Sequence, residues 1–390
     1  MASILKRVSH RAMVIGAAAL LTLGTYAVAQ EFRGDHPDTY TVKRGDTLWD
    51  ISARFLKRPW LWPEIWQANP QIANPHLIYP GDVISLAYLD RVGVGGIQAG
   101  PRNEAPVNAI SLADIEAYLR DLRVVDSFKE LPYIVGQEED IARAARGHLV
   151  YARGLEGAQV GQRYAVVRPT TRFVRIGKRE CCDMLSRNHY DFRGGLVPGF
   201  GTAWSDTAGN ELDGEELGHE LYRVNAGTVT KLMEGDVEVT TLKLDDENVE
   251  TRVGDRLIAV DAQPYDLQFF PHVPKQGLDE NKARVLAVAN SLTSGGPRDV
   301  VALSVGAQDG IDNGTVLSIW RQGSNNMDRV QADYWRSEET VPKGSRVQLP
   351  DEYAGHVMIF RTFDKVSYGL VMSSVKPSRV GYRLKHPDAK

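Results

Sequence analysis

Cysteine is almost missing from this sequence: among 390 residues the only two thiols are the neighbours Cys181 and Cys182. Adjacent cysteines can close only a strained ring, and two thiols fall far short of a zinc site, so neither a disulfide framework nor a thiolate cluster holds the chain together. Its cores must supply the stability. The pair reads as structural or incidental, with a redox or intermolecular role as the alternative. A basic excess is missing too. The formal net charge is -4 and no basic cluster stands out in the mature region, which argues against nucleic acid as a partner, because non-specific binding needs a cationic surface to displace counterions. Apolar runs long enough to cross a bilayer are also lacking. The run Ala12 to Leu23 covers about 12 residues where a spanning helix needs roughly 20.

Catalytic signatures are absent as well. A cysteine peptidase or L,D-transpeptidase needs a nucleophilic Cys with a His partner in a recognisable setting, and KRECCDML around Cys181 is neither. His219-Glu220 lacks the second His of HExxH, and the remaining histidines are scattered, so His148, His219, His272 and His356 read as surface or satisfied structural residues. Gly199-Phe200-Gly201 lacks the strand-to-helix context of a nucleotide loop, and Asp206, Asn210, Asp213 and Glu215 do not have EF-hand spacing. The glycine-rich, acidic stretch Asp191 to Glu216 therefore reads as a mobile surface loop. Only a glycosidase, which needs no more than two carboxylates, finds its raw material among the 50 acidic residues. The expectation is a protein with no catalytic residues, no cofactor and no metal.

What is present begins with a targeting signal. Lys6, Arg7 and Arg11 form a positive region, Ala12 to Leu23 an apolar one, and Ala27-Val28-Ala29 a small-x-small cleavage site, so residues 1–29 are expected to be a signal peptide. An uncleaved anchor is the alternative. No cysteine follows the apolar region, which removes a lipoprotein. The mature protein is expected in the periplasm or outside the cell.

Tyr40 to Leu86 is the most informative stretch. Thr47 suits a helix N-cap with Asp50 completing a capping box, so a helix is expected to start at Leu48, with Ile51 and Phe55 on its core face. Lys57-Arg58-Pro59 stops it. Pro63 suits the first position of a second helix that Asn69-Pro70 ends, and Tyr79-Pro80-Gly81-Asp82 is turn chemistry before the strand Val83 to Leu86. The order is βααβ. Four of the chain's 7 tryptophans, Trp49, Trp60, Trp62 and Trp66, fall here. A domain this small needs large side chains to make a core, and an exposed aromatic patch is the other reading.

These residues resemble the LysM family: Tyr40-Thr41-Val42, Gly45-Asp46-Thr47-Leu48, Asn69-Pro70, Ile78-Tyr79-Pro80-Gly81-Asp82 and Ile84. The tryptophan-rich connection Arg58 to Pro63 departs from the commonest pattern. The resemblance implies a module over 39–87 that binds N-acetylglucosamine glycans, in bacteria usually peptidoglycan. It also implies a groove between Gly45-Asp46-Thr47-Leu48 and Pro75-His76-Leu77-Ile78-Tyr79-Pro80.

Residues 88–106, rich in glycine and proline, read as a flexible linker. A helix is expected from Ser111 to about Arg123, at the head of a β-rich region over 107–285, with a C-terminal β domain over 286–390. A pattern of β-rich run, polar connection, turn glycine and alternating strand recurs. It runs from Arg146-Tyr151 to Val160-Val167, from Val237-Leu242 to Val253-Ile258, and from Val300-Val305 to Asn313-Ile319. Val341 to Leu349 offers a fourth half. The fold class is thus α+β multidomain: a small βααβ module followed by mainly β domains of barrel or sandwich type, with Tyr222 to Val260 and Ala287 to Ser374 as their segments.

Signal, single tryptophan-rich LysM module, tether and β-rich remainder together resemble the LysM proteins associated with type IV pilus secretins, the TsaP family. Val300 to Val375 is weakly similar to the C-terminal domain of the flagellar ring protein FlgT. The resemblance implies anchoring of an outer-membrane secretin to the wall, with a homo-oligomer or ring among the expected assemblies. A LysM-targeted peptidoglycan hydrolase and a generic envelope scaffold are the alternatives.

Overall fold

The computed structural model describes residues 37–67, 69, 78–86, 112–176, 189–190, 196–197, 204, 206–207, 214–260, 270–289, 294–328, 330 and 346–390. The expected signal peptide and linker, Ser111, Cys181 and Cys182 lie outside the described residues. The described residues fall into two compact units, one of those up to Leu112 with 270–272, the other of the rest.

In the first unit, β1 (Thr39–Thr41) pairs antiparallel with β2 (Val83–Ser85), and α1 (Leu48–Phe55) and α2 (Trp62–Gln67) lie between them in sequence. Thr47 caps α1 as expected: its hydroxyl accepts from Asp50 N at 3.1 Å while the Asp50 carboxylate accepts from Thr47 N. The connection to α2 is not plain loop. Pro59 opens a 3-10 turn over Pro59–Leu61, so α2 starts at Trp62 and Pro63 takes its second position. That turn buries Trp60 beside Trp49, and Trp62 enters the core formed by Val42, Leu48, Ile51, Ile78 and Ile84. Three of the four tryptophans are thus core. Trp66 is half-buried, with the ring of Phe270, distant in sequence, stacked on it at 5.6 Å. Phe55 is half-buried, edge-on to Tyr40.

The second unit opens at Ala113, inside α3 (Leu112–Asp121), which ends two residues earlier than expected because Leu122 starts β3 (Leu122–Val125). The β region then builds two barrels. Six strands make the first: β4 (Tyr133–Gln137), β5 (Leu149–Arg153), β6 (Arg163–Val174), β10 (Glu216–Lys231), β11 (Thr240–Leu244) and β12 (Arg256–Ala259). The short strands β7 (His189–Tyr190), β8 (Leu196–Val197) and β9 (Asp206–Thr207) fall between β6 and β10. Going round, the order is β4, β5, β11, β10, β6, β12 and back to β4, every pair antiparallel. Ile134, Val150, Val166, Val224, Leu242 and Leu257 fill its core. β6 and β10 overrun the barrel, and β3 joins the outer part of β10.

The second barrel uses β13 (Val285–Val288), β14 (Val300–Leu303), β15 (Val316–Arg321), β18 (Glu352–Thr362), β19 (Ser367–Ser374) and β20 (Arg383–Lys385). Between β15 and β18 runs a separate hairpin, β16 (Asn325–Met327) with β17 (Arg346–Gln348). The order round this barrel is β13, β14, β19, β18, β15, β20, closed by Val285 N–H donating to Tyr382 O and Leu384 N–H donating to Ala283 O. Numbered within each barrel, the strands follow the same path: first, second, fifth, fourth, third, sixth. The two barrels share one topology.

The likeness extends to single turns. In 159–162 the N–H of the third residue, Gly161, donates across to Val229 O, and Val229 N–H donates back to Gln162 O. The equivalent turn of the second barrel, 312–315, repeats both bonds through Gly314, Ile359 and Thr315. The last strands match in the same way, Gly254 with Ile134 and Gly381 with Val285. This corrects the expected segments. The first barrel starts at Tyr133, and the fourth half-unit is β19 with β20, not Val341 to Leu349, whose described part belongs to the hairpin. The missed signal is Val380-Gly381-Tyr382-Arg383-Leu384, beside Val253-Gly254-Asp255-Arg256-Leu257.

The second strands match too, but there glycine is kept only once. Gly147 (φ 92) bonds to Leu244 in the first barrel, whereas Arg298 (φ 72) bonds to Val371 in the second. A left-handed backbone costs a residue with Cβ about 1–2 kcal/mol. Gly147→Ala should therefore destabilise by about that amount, its Cβ meeting no neighbour. Arg298→Gly should come out near zero in urea unfolding, because relief of strain is offset by the greater backbone entropy that glycine loses on folding together with loss of the pair with Asp114.

Candidate functional site

Both loops expected to frame the groove are tied to one residue. Val42 N–H donates to Asp82 O at 2.8 Å, and Gly81 N–H donates to Val42 O at 2.8 Å, so the residue leading into the first loop is hydrogen-bonded to the turn that ends the second. In the first loop, Asp46 N–H donates to Lys43 O across a turn whose third residue, Gly45, has φ 84. In the second, Asp82 N–H donates to Tyr79 O and the Asp82 carboxylate accepts from Tyr79 N–H.

Asp46 organises the first loop. Its Oδ2 accepts from Tyr40 Oη at 2.7 Å and from Lys43 N at 2.8 Å, and its Oδ1 takes Arg54 Nη2 at 3.0 Å. Burial, then the hydrogen bond and charge of Asp46, push the Tyr40 phenol up. Thr47 is spent on the helix cap. Leu48 and Ile78 point into the shared core, so toward a sugar they offer backbone only. Tyr79 and Pro80 remain half-buried at the surface. Of the ten predicted groove residues, Pro75, His76 and Leu77 lie outside the described residues. The other seven are gathered on the two joined loops.

Asn69, which the sequence marks as a helix stop and as part of the LysM resemblance, holds the scaffold below. Its Nδ2 donates to Ile65 O at 2.7 Å and Ser85 O at 2.9 Å, and its Oδ1 accepts from Ser85 N at 2.8 Å. One buried amide thereby joins α2 to β2.

The second unit holds a constellation that sequence reasoning missed. Glu220, on β10, is fully buried where the barrels meet. Its oxygens accept from Thr170 Oγ1 at 2.7 Å, Trp204 Nε1 at 2.5 Å and Tyr368 Oη at 2.9 Å. Tyr118, Phe173, Trp204 and Tyr368 surround it with rings 5.3–6.5 Å apart. Burial pushes the carboxyl up in spite of these donors, and pushes Tyr118 up to about 12. A raised carboxyl can mark an acid catalyst. This one is sealed from solvent with both oxygens occupied, and serves as a key between the barrels. Trp204 is buried and so departs from the surface-loop reading of 191–216, most of which lies outside the described residues. A tryptophan in that acidic, glycine-rich stretch was the available signal.

Elsewhere His219 pairs with Glu216 at 2.8 Å, and His356 lies between Tyr353 Oη and Pro387 O. Among the described residues no group of three or more His, Cys, Asp or Glu could hold a metal ion, and no helix is long and apolar enough to cross a membrane.

Residues 40–87 match the LysM domain family. Over 60 aligned residues the chain is 38% identical to "Uncharacterized protein YqbP" of Bacillus subtilis (strain 168), covering 13% of this chain and 27% of that relative. The match places a LysM domain over 40–87, and modules of that family bind peptidoglycan and related N-acetylglucosamine glycans.

Proposed function

We propose that this chain is a non-enzymatic periplasmic anchor that holds an outer-membrane secretin complex, of the type IV pilus kind, to peptidoglycan. The observation that carries the reading is the LysM module with both groove loops joined through Val42. Export rests on the signal-like residues 1–29. The absence of catalytic motifs in the sequence supports a holding role, and the secretin rests on the TsaP-like arrangement of module and β domains. A single shallow module binds weakly, and several copies around a ring bind together through effective concentration.

Sedimentation with purified sacculi tests the anchoring: the full chain should pellet, and deletion of 40–87 should leave it in the supernatant. Equal pelleting of both would refute it. Crosslinking in cells should join the second unit to a secretin, and recovery of none counts against that partner. Release of soluble muropeptides from the sacculi would show a hydrolase instead.

A further inference from the structure

Part of the chain between the two barrels belongs to the LysM module. β12 ends at Ala259 and β13 begins at Val285, yet Phe270, Pro271 and His272 from the connection between them fall in the module's compact unit. Trp62 and Trp66 stand one turn apart on α2 and so share a face of that helix. The Phe270 ring lies against both: its centroid is 5.6 Å from each, tilted 41° to Trp62 and only 17° from parallel with Trp66. Pro271 beside it is buried, while Phe270 keeps 37% of its surface exposed. Pro271 and Pro274 bias the residues before them, Phe270 and Val273, to extended backbone, so the segment comes to α2 already straightened and loses little entropy in lying there.

A tryptophan face open to water can stack on a sugar, but a face already covered by a near-parallel ring cannot offer that side. We propose that residues 270–272 are a strap whose Phe270 seats between Trp62 and Trp66, so that chain from between the barrels completes the LysM module. The aromatic face of α2 is then the seat of the strap and not a glycan platform. The family's boundaries, 40–87, leave this piece out. Withdrawing the strap, as a pull on the chain between Ala259 and Val285 would do, loosens α2. Each ring pair is worth about two- to tenfold in an equilibrium, and Phe270 makes two while staying partly exposed, so its loss should raise local opening of the module about tenfold.

The test follows amide hydrogen exchange in the full chain, read peptide by peptide, for the wild type, Phe270→Ala and Phe270→Tyr. In Phe270→Ala the amides of α2 should exchange about tenfold faster while those of the barrel strands keep their rates, and Phe270→Tyr, which retains the ring, should stay within about twofold of the wild type. Both variants should still pellet with sacculi, because a tenfold rise in opening leaves most modules folded. Unchanged exchange of α2 in Phe270→Ala would overturn the strap. An equal rise in the barrel strands would overturn it too, making Phe270 a general support of the chain. So would loss of pelleting without a change in exchange, which would make the ring a sugar contact. Failure of the wild type itself to pellet would count against the wall reading alone, since the exchange comparison needs no glycan.

Discussion

Glu220→Ala should lower the unfolding free energy of the two-barrel unit by about 3–5 kcal/mol, because it opens a cavity and leaves Thr170, Trp204 and Tyr368 without their shared acceptor. Glu220→Gln should cost less, about 1–2 kcal/mol, since the amide oxygen still accepts while its NH2 meets donors. The two variants also separate packing from charge. The folded carboxyl is raised above its usual 4.5, so its stabilising contribution is fully present below that value and is lost as pH rises through the folded one. Glu215 runs the other way. The Arg175 hydrogen bond holds it down, so its contribution is present above 4.5 and lost as pH falls. Urea midpoints of the full chain, followed upward from about pH 4, should therefore decline less in Glu220→Gln than in the wild type. Parallel profiles would show that Glu220 does not titrate across this window.

Asn69→Ala should weaken sedimentation with sacculi although Asn69 is no part of the groove. It removes three buried hydrogen bonds and orphans the backbone of Ser85 and Ile65, a loss of about 2–4 kcal/mol. A core this small supplies only about 3–5 kcal/mol in all. The module should be left with about 1 kcal/mol of stability, and limited proteolysis should cut within 40–87 faster than in the wild type while sparing the barrels. Ser85→Ala is the control. Its contacts with Asn69 are made by backbone alone, so it should keep both fold and wall binding.

What could be read in advance was local. The Thr47–Asp50 cap is closed within four residues, so its signal is complete in TLWD. The Gly161, Gly254 and Gly314 turns were legible for the same reason, each being a four-residue device. The barrels were not, because closure is non-local. Tyr133 starts a strand whose flanking partner, β12, arrives more than a hundred residues later, with Arg256 opposite Tyr133. Nothing near Tyr133 announces that pairing. Seen alone, Tyr222 to Val260 looked like a domain but is half a barrel. Trp204 and Glu220 were hidden similarly, since their partner Tyr368 comes 148 residues after Glu220. In the groove, the loops were found by motif, while the use of Asn69 as a cross-brace depends on Ser85 arriving 16 residues later.

The fastening of α3 has a mechanical consequence. Arg361 Nη1 donates to Tyr118 O at 2.9 Å and also to Leu119 O, Arg298 grips Asp114, and Tyr118 packs on Phe360 and Tyr368. All of these holds belong to the second barrel, although the first barrel follows α3 in sequence. Tension applied to the chain at residue 112 would thus be resisted first by the barrel nearer the C-terminus, before reaching β3 and the strands beyond. The order in which the chain is written and the order in which it bears load are different.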